Sequence, residues 1–223
     1  NSEKVMLNKI KVSTGLLTAL LFLFIFNTSF TFLLSFAILY LSILIHEFGH
    51  AYIGKKFGLE VDKITLNVIG GYVDFKEPEL IYNNVKALFY TVVAGPAANL
   101  LITCGFLSIN YICNYYNIDT YYISFIIEIN FLFAITNLVP VFPLDGNKIL
   151  EAYHILIGEK DYHLASVIRG GAITCFLYIL CMPYMDAFMK VVYIILLFIS
   201  AVKASVELYA RRQISKIYIT RSR

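Results

Sequence analysis

The segment Ile45-His46-Glu47-Phe48-Gly49-His50 places two imidazoles four residues apart, with a carboxylate directly after the first. On a helix, positions i and i+4 share a face, so His46 and His50 can hold one metal ion while Glu47 stands beside it as a general base. The chemistry this spacing serves is hydrolysis by zinc-activated water. A hydrolytic zinc takes three protein ligands and leaves a fourth position for water, so one ligand must come from elsewhere in the chain. The extended pattern with a third histidine is absent, because position 53 is isoleucine where that pattern needs glycine.

Candidates for the missing ligand lie downstream. Glu77 and Glu79 flank Pro78 in a polar stretch and read as solvated loop charges. His154 and His163 have charged neighbours, Glu151, Glu159, Lys160 and Asp161, and read as surface residues on the cytoplasmic side. Asp145 is the better candidate. It closes Asn137-Leu138-Val139-Pro140-Val141-Phe142-Pro143-Leu144-Asp145, in which two prolines end a helix and hold the backbone extended. An aspartate before glycine is also a common helix cap, and from this segment alone that reading is at least as strong.

The elements that must position these groups follow from composition. The 223 residues are 59% apolar and 15% charged, against about 25% charged in soluble chains. This points to a membrane protein and away from a soluble enzyme, a disordered chain or a nucleic-acid binder. A bilayer core needs about 17 to 25 apolar helical residues, and six stretches qualify: about 12–26, 30–57, 85–111, 121–139, 164–182 and 187–209. The first is short and breaks at Asn27-Thr28-Ser29, a candidate reversal, with no small-residue cleavage site for a removed signal peptide. With the N-terminus in the cytoplasm, every one of the eighteen Lys and Arg residues except Lys190 falls on the cytoplasmic side. The expectation is an all-α polytopic chain of the cell membrane, one domain over 1–223, with six spans and both termini cytoplasmic.

One segment departs from the helical pattern. From Val61 to Phe75, Val61, Lys63-Ile64, Leu66 and Val68 lead into Ile69-Gly70-Gly71-Tyr72-Val73-Asp74-Phe75, the pattern of a β-hairpin with a glycine turn on the cytoplasmic side. Its edge could clamp an unwound peptide strand by β-augmentation, which makes Gly70, Gly71, Tyr72 and Val73 candidate substrate-binding residues. Glu128 is an intramembrane charge, expected buried and neutral or hydrogen-bonded to a neighbouring helix. Cys104, Cys113, Cys175 and Cys181 lie in apolar runs and read as small buried hydrophobes.

Three of these segments together carry a resemblance: His46 to His50 in the second span, Gly95-Pro96-Ala97-Ala98-Asn99 in the third, and Asn137 to Gly146 at the end of the fourth. The chain resembles the site-2 protease family of intramembrane zinc metalloproteases, from about Leu16 to Tyr209, and its layout is similar to the compact archaeal members and the bacterial sporulation proteases. Where the family pattern has Gly-Gly after the aspartate, this chain has Gly146-Asn147. The resemblance implies one zinc per chain held by His46, His50 and Asp145, with Glu47 as the proton-transferring base. It implies Asn137 on the substrate backbone or the oxyanion, with Pro140 and Pro143 beside the substrate, and Gly95-Pro96 interrupting the third helix so that backbones pack closely.

The expected partners are a transmembrane or membrane-tethered protein substrate, membrane lipid, and either a regulatory membrane protein or a second copy of the chain. The rival readings are a catalytically silent membrane scaffold of the same fold, against which the intact Glu47 argues, and a metal transporter, which would show paired repeats that this chain lacks.

Overall fold

In lipid a backbone must satisfy its own amides, which favours long helices wherever the sequence is apolar. The structure is a computed structural model that describes residues 9–25, 29–68, 70–185 and 187–221. Along the chain come β1 (Ile10–Val12), α1 (Thr14–Ile25), α2 (Phe30–Lys56), β2 (Val61–Leu66), β3 (Gly71–Phe75), one turn at Glu79–Tyr82, α3 (Val85–Tyr115), α4 (Tyr121–Asn137), α5 (Asp145–Leu156), α6 (Tyr162–Cys181), a 3-10 turn at Met182–Tyr184 and α7 (Ala187–Arg221). The chain is mostly helical with one small sheet, as composition and pattern led us to expect.

Among the described residues, four helical stretches are long and apolar enough to cross a membrane: α2, α3, α6 and residues Lys190–Ala210 of α7. The other two expected spans are helical but shorter, 12 residues in α1 and 17 in α4. The starts of α2 and α3 are set by side chains. Ser29 Oγ accepts from the Phe32 amide at 3.3 Å and Asn84 Oδ1 from the Ala87 amide at 3.2 Å, each satisfying an amide that the first helical turn leaves without a partner. Asn27 and Thr28 of the expected reversal, and Ile69 of the hairpin turn, lie outside the described residues.

The chain divides into two compact units, 1–136 and 137–223. In the first, the hairpin is part of a three-stranded sheet ordered β1-β2-β3. β2 and β3 pair antiparallel, with Ile64 opposite Val73, Thr65 opposite Tyr72 and Leu66 opposite Gly71. β1, unseen in the sequence pattern, pairs parallel to β2. An irregularity between Val61 and Lys63 adds one residue to the alternation. Val61, Ile64 and Leu66 therefore all turn to the buried side, although 61 and 64 differ by an odd step. They pack on Ile43 and Ala51 of α2 with Leu16, Phe48 and Phe75. Gly54 makes room for this packing: a β-carbon there would lie 2.7 Å from the Phe75 ring.

In the second unit α5 packs on α6 and α6 on α7. Val141 is fully buried, and the Lys203 ammonium sits 5.5 Å above the Phe142 ring. Three expectations fail here and in the first unit. Cys104, Cys175 and Cys181 are exposed and Cys113 only partly buried, because each sits on the outward side of its helix; all four are free thiols. Glu128 is exposed on α4 rather than buried, since the covered positions of that helix are Asn130 and Ala134. α3 runs without interruption through Pro96; the proline removes one amide donor without breaking the helix.

Candidate functional site

The helical motif on α2 buries all three of its chemical groups, His46, Glu47 and His50. The two imidazoles face each other edge to face with ring centroids 4.7 Å apart. Each ring is oriented through its far nitrogen. His50 Nδ1 lies 2.7 Å from the Thr91 carbonyl oxygen, which can only accept, so Nδ1 carries the proton. His46 Nδ1 lies 2.6 Å from Asn99 Oδ1. The Asn99 amide nitrogen already donates to the Ser42 carbonyl at 3.2 Å and to Asn130 Oδ1 at 2.8 Å, so Asn99 accepts from His46. Asn130 completes the network by donating to Ser42 Oγ at 3.0 Å and to the Ile126 carbonyl at 2.9 Å.

With both Nδ1 atoms protonated, each ring presents its Nε2 as an acceptor, and the two Nε2 atoms lie 3.1 Å apart. That approach repels unless a proton or a cation lies between the nitrogens. Two nitrogens bound tetrahedrally to zinc at about 2.0–2.1 Å stand about 3.3 Å apart, so the pair fits that ion. Hydrogen-bonding each ligating histidine through its other nitrogen fixes the tautomer and orients the ring.

Glycines keep this space open. A β-carbon at Gly95 would fall 2.4 Å from His50 Nε2 and 2.7 Å from His46 Nε2, filling the place in front of both nitrogens. A β-carbon at Gly49 would fall 2.4 Å from the Ala94 carbonyl oxygen, so α2 and α3 approach as closely as backbones allow. Gly71, the first residue of β3, lies against the motif: a β-carbon there would be 2.8 Å from Glu47 Cγ and 3.2 Å from its Oε1. Gly70 has open space around it and accepts from the Asn67 amide through its carbonyl at 2.8 Å to close the turn. β3 is an edge strand; the Tyr72 side chain is exposed and Val73 packs inward on the sheet core.

In the second unit, Asp145 is buried as the first residue of α5. It is not the cap residue: Leu144 holds that position with extended backbone. The preceding loop folds back on its own unit. β-carbons at Gly146 and Gly170 would collide with the carbonyl oxygens of Val139 and Pro140 respectively, and this contact fixes where Asp145 stands. Asn137 ends α4, Pro140 is partly buried and Pro143 is exposed. Asn147 lies within the first turn of α5 rather than in a tight turn, and its amide nitrogen donates to Glu151 Oε1 at 3.2 Å.

His163, half-buried, is 3.3 Å from the same Glu151 oxygen. His154 is buried, 1% exposed, contrary to the surface role expected of it. The charged neighbours are close in sequence, but the helical repeat turns Glu151 and His154 together into the protein. Burial, and then the Arg169 guanidinium, hold the His154 pKa below the ordinary histidine value. Glu77 and Glu79 are exposed, as expected of solvated charges. The residues that the motif analysis missed are Ser42, Thr91 and Asn130. For Ser42 and Asn130 the available signal was a hydroxyl or amide inside an apolar span, where a polar group without a partner is unfavourable; Thr91 acts through its backbone carbonyl, which no residue type announces.

Residues 34–118 match the sequence profile of Peptidase family M50. The chain is 31% identical over 155 residues to a zinc metalloprotease of Methanocaldococcus jannaschii, covering 67% of this chain and 42% of that protein. It is 29% identical over 114 residues to stage IV sporulation protein FB of Bacillus subtilis, covering 50% of this chain and 37% of that one. It thus spans less than half the length of these curated relatives. Its fold is similar to that of the solved site-2 protease from Methanocaldococcus jannaschii, with a TM-score of 0.55 at 24% identity over 87% of this chain and 90% of that one. The chain carries a domain of peptidase family M50, the site-2 protease family.

Proposed function

We propose that the chain is an intramembrane zinc endopeptidase that cuts membrane-tethered regulatory proteins. The observation that carries the reading is the pair of buried imidazoles, each oriented through Nδ1, whose Nε2 atoms converge to 3.1 Å, with Glu47 adjoining them in sequence. His46 and His50 would hold one zinc with Asp145 as the third ligand, and residues 1–223 act as a single protease domain. The burial of the Asp145 carboxylate at the end of a braced loop supports that role. Bound zinc supplies Lewis acidity that brings the pKa of water toward about 7.

The chain's own residues then manage the protons and the substrate. Glu47 takes the proton of the water whose oxygen adds to the scissile carbonyl carbon, and delivers it to the amine nitrogen as the C–N bond breaks. Asn137 donates to the oxyanion, and the Pro140 to Pro143 segment lies along the substrate. A substrate helix must unwind before its carbonyls are accessible. The outer edge of β3 at Gly71, Tyr72 and Val73, with Gly70 just before it, receives the unwound strand by main-chain pairing.

The chain crosses the cell membrane six times with both termini in the cytoplasm. Nine residues separate His46 from Lys55, which puts the zinc about 14 Å inside the basic edge, so water enters from the cytoplasmic side. Co-expression with single-span regulatory proteins tests this reading. The native chain should release a shortened product, and no cleavage of any tethered substrate by zinc-loaded protein would leave only a scaffold role.

A further inference from the structure

On the outer side of the α2–α3 pair lies an apolar groove of about 590 Å³. Gly49, Ala94 and Ala97 form its floor, because small side chains let the two backbones close up there. Tyr52, Tyr90 and Leu101 are among its walls. From Tyr90 to Leu101 is eleven residues of helix, about 16 Å at 1.5 Å per residue. That is about half of a 30 Å hydrocarbon core, the depth of one leaflet. The groove is therefore shaped for a chain entering from one face of the membrane.

The face is marked by charge. α2 ends in Lys55 and Lys56, and the Lys56 ammonium stands 4.6 Å over the Tyr52 ring at the groove wall. On α3, Lys86 lies one helical turn before Tyr90 and so on the same side of the helix. Lys55, Lys56 and Lys86 are all exposed. Among the described residues none of the three enters an ion pair, whereas Lys63 pairs with Asp74 and Lys76 with Glu60 in the nearby sheet. An apolar slot one leaflet deep thus opens beneath uncompensated cations. Phe57 stacks on Tyr90 with centroids 6.0 Å apart, bridging the two helices at that end as interfacial aromatics do.

We propose that this groove binds an anionic phospholipid of the basic-side leaflet, with an acyl chain between α2 and α3 and the phosphate at Lys56 and Lys86. A zwitterionic lipid would fill the slot equally well and bring the same phosphate, but its own ammonium offsets that charge, so it would neutralise the lysines less than a lipid with net negative charge. A neutral protein helix would fail in the same way. The occupant also bears on the site, because Gly49 lies on the motif helix between Glu47 and His50 and Ala94 adjoins Gly95.

The sequence contains no tryptophan, so Tyr90→Trp gives a fluorophore that reports from the groove alone. The full chain carrying this change is reconstituted in phosphatidylcholine vesicles containing either brominated phosphatidylglycerol or brominated phosphatidylcholine at equal mole fraction. The expected result is stronger quenching by the anionic lipid. Lys56→Gln and Lys86→Gln should each reduce that preference about fivefold, the factor for one basic residue at an anionic surface. Both lysines are exposed, so these changes leave the packing intact. Leu107→Trp, farther along α3, should show no preference. Equal quenching by the two lipids, a preference that survives both lysine changes, or no quenching by either because a protein fills the groove would each overturn the proposal.

Discussion

Gly71 stands against Glu47 so closely that a β-carbon at position 71 would lie 2.8 Å from Glu47 Cγ and 3.0 Å from Ile43 Cγ2. The first residue of the sheet edge and the proton-transferring carboxylate are thus in van der Waals contact. Gly71→Ala should displace Glu47 while leaving the two imidazoles and their hydrogen bonds in place. Cleavage should fall about 10²-fold, the effect of misplacing a reacting group by about 1 Å, with zinc content unchanged. Parallel assays of product release and bound zinc check this; equal loss of both would show that the substitution unfolds the site.

Asn99 should govern metal affinity without touching the metal. It accepts from His46 Nδ1 and is held by Ser42 and Asn130. Asn99→Ala frees the ring to rotate and to change tautomer, and loss of such an orienting partner weakens binding about 10- to 100-fold. Chelator competition on purified protein measures it. Asn130→Ala should have the same sign and a smaller effect, because Asn99 keeps its bond to the Ser42 carbonyl.

Asp145→Ala should lose most of the zinc, whereas His163→Ala and Glu77→Ala should keep it. Metal analysis after dialysis distinguishes them. Full retention in Asp145→Ala would remove that residue from the ligand set.

His154 makes stability depend on pH. Its folded pKa is lowered by burial and by Arg169, so as pH falls through the unfolded value of about 6.5 the unfolded chain takes up a proton that the folded chain resists. Its contribution to stability is therefore intact above about pH 6.5 and declines on acidification, by at most about 1.4 kcal/mol per pH unit for one proton. Thermal unfolding in detergent at a series of pH values should show a shallower acid-side decline for His154→Gln than for the native chain.

What was readable in the sequence was what is local. His46, Glu47 and His50 declare themselves by spacing on one helix, and the apolar runs declare the helices that carry them. β2 and β3 were readable because a hairpin joins neighbours, but β1 pairs with β2 across more than fifty residues, and three residues carry no pattern of their own. Asn130 was missed for the same reason, since its partner Ser42 is 88 residues away. The burial of His154 is masked by its charged sequence neighbours, and the signal for it is the three-residue step from Glu151, which puts both residues on one helical face. The helix beginning at Asp145 was obscured by the prolines, which end one helix without showing where the next begins.

The most direct test compares the native chain with Glu47→Gln, each co-expressed with a single-span tethered substrate and each then purified for zinc analysis. Glutamine keeps the shape of the side chain but cannot accept and return a proton. The expected result is equal zinc in both proteins and cleavage reduced at least about 10²- to 10⁴-fold in the variant. Near-native cleavage by Glu47→Gln would contradict the account, because the proton would then be moving through a group other than the one lying under Gly71.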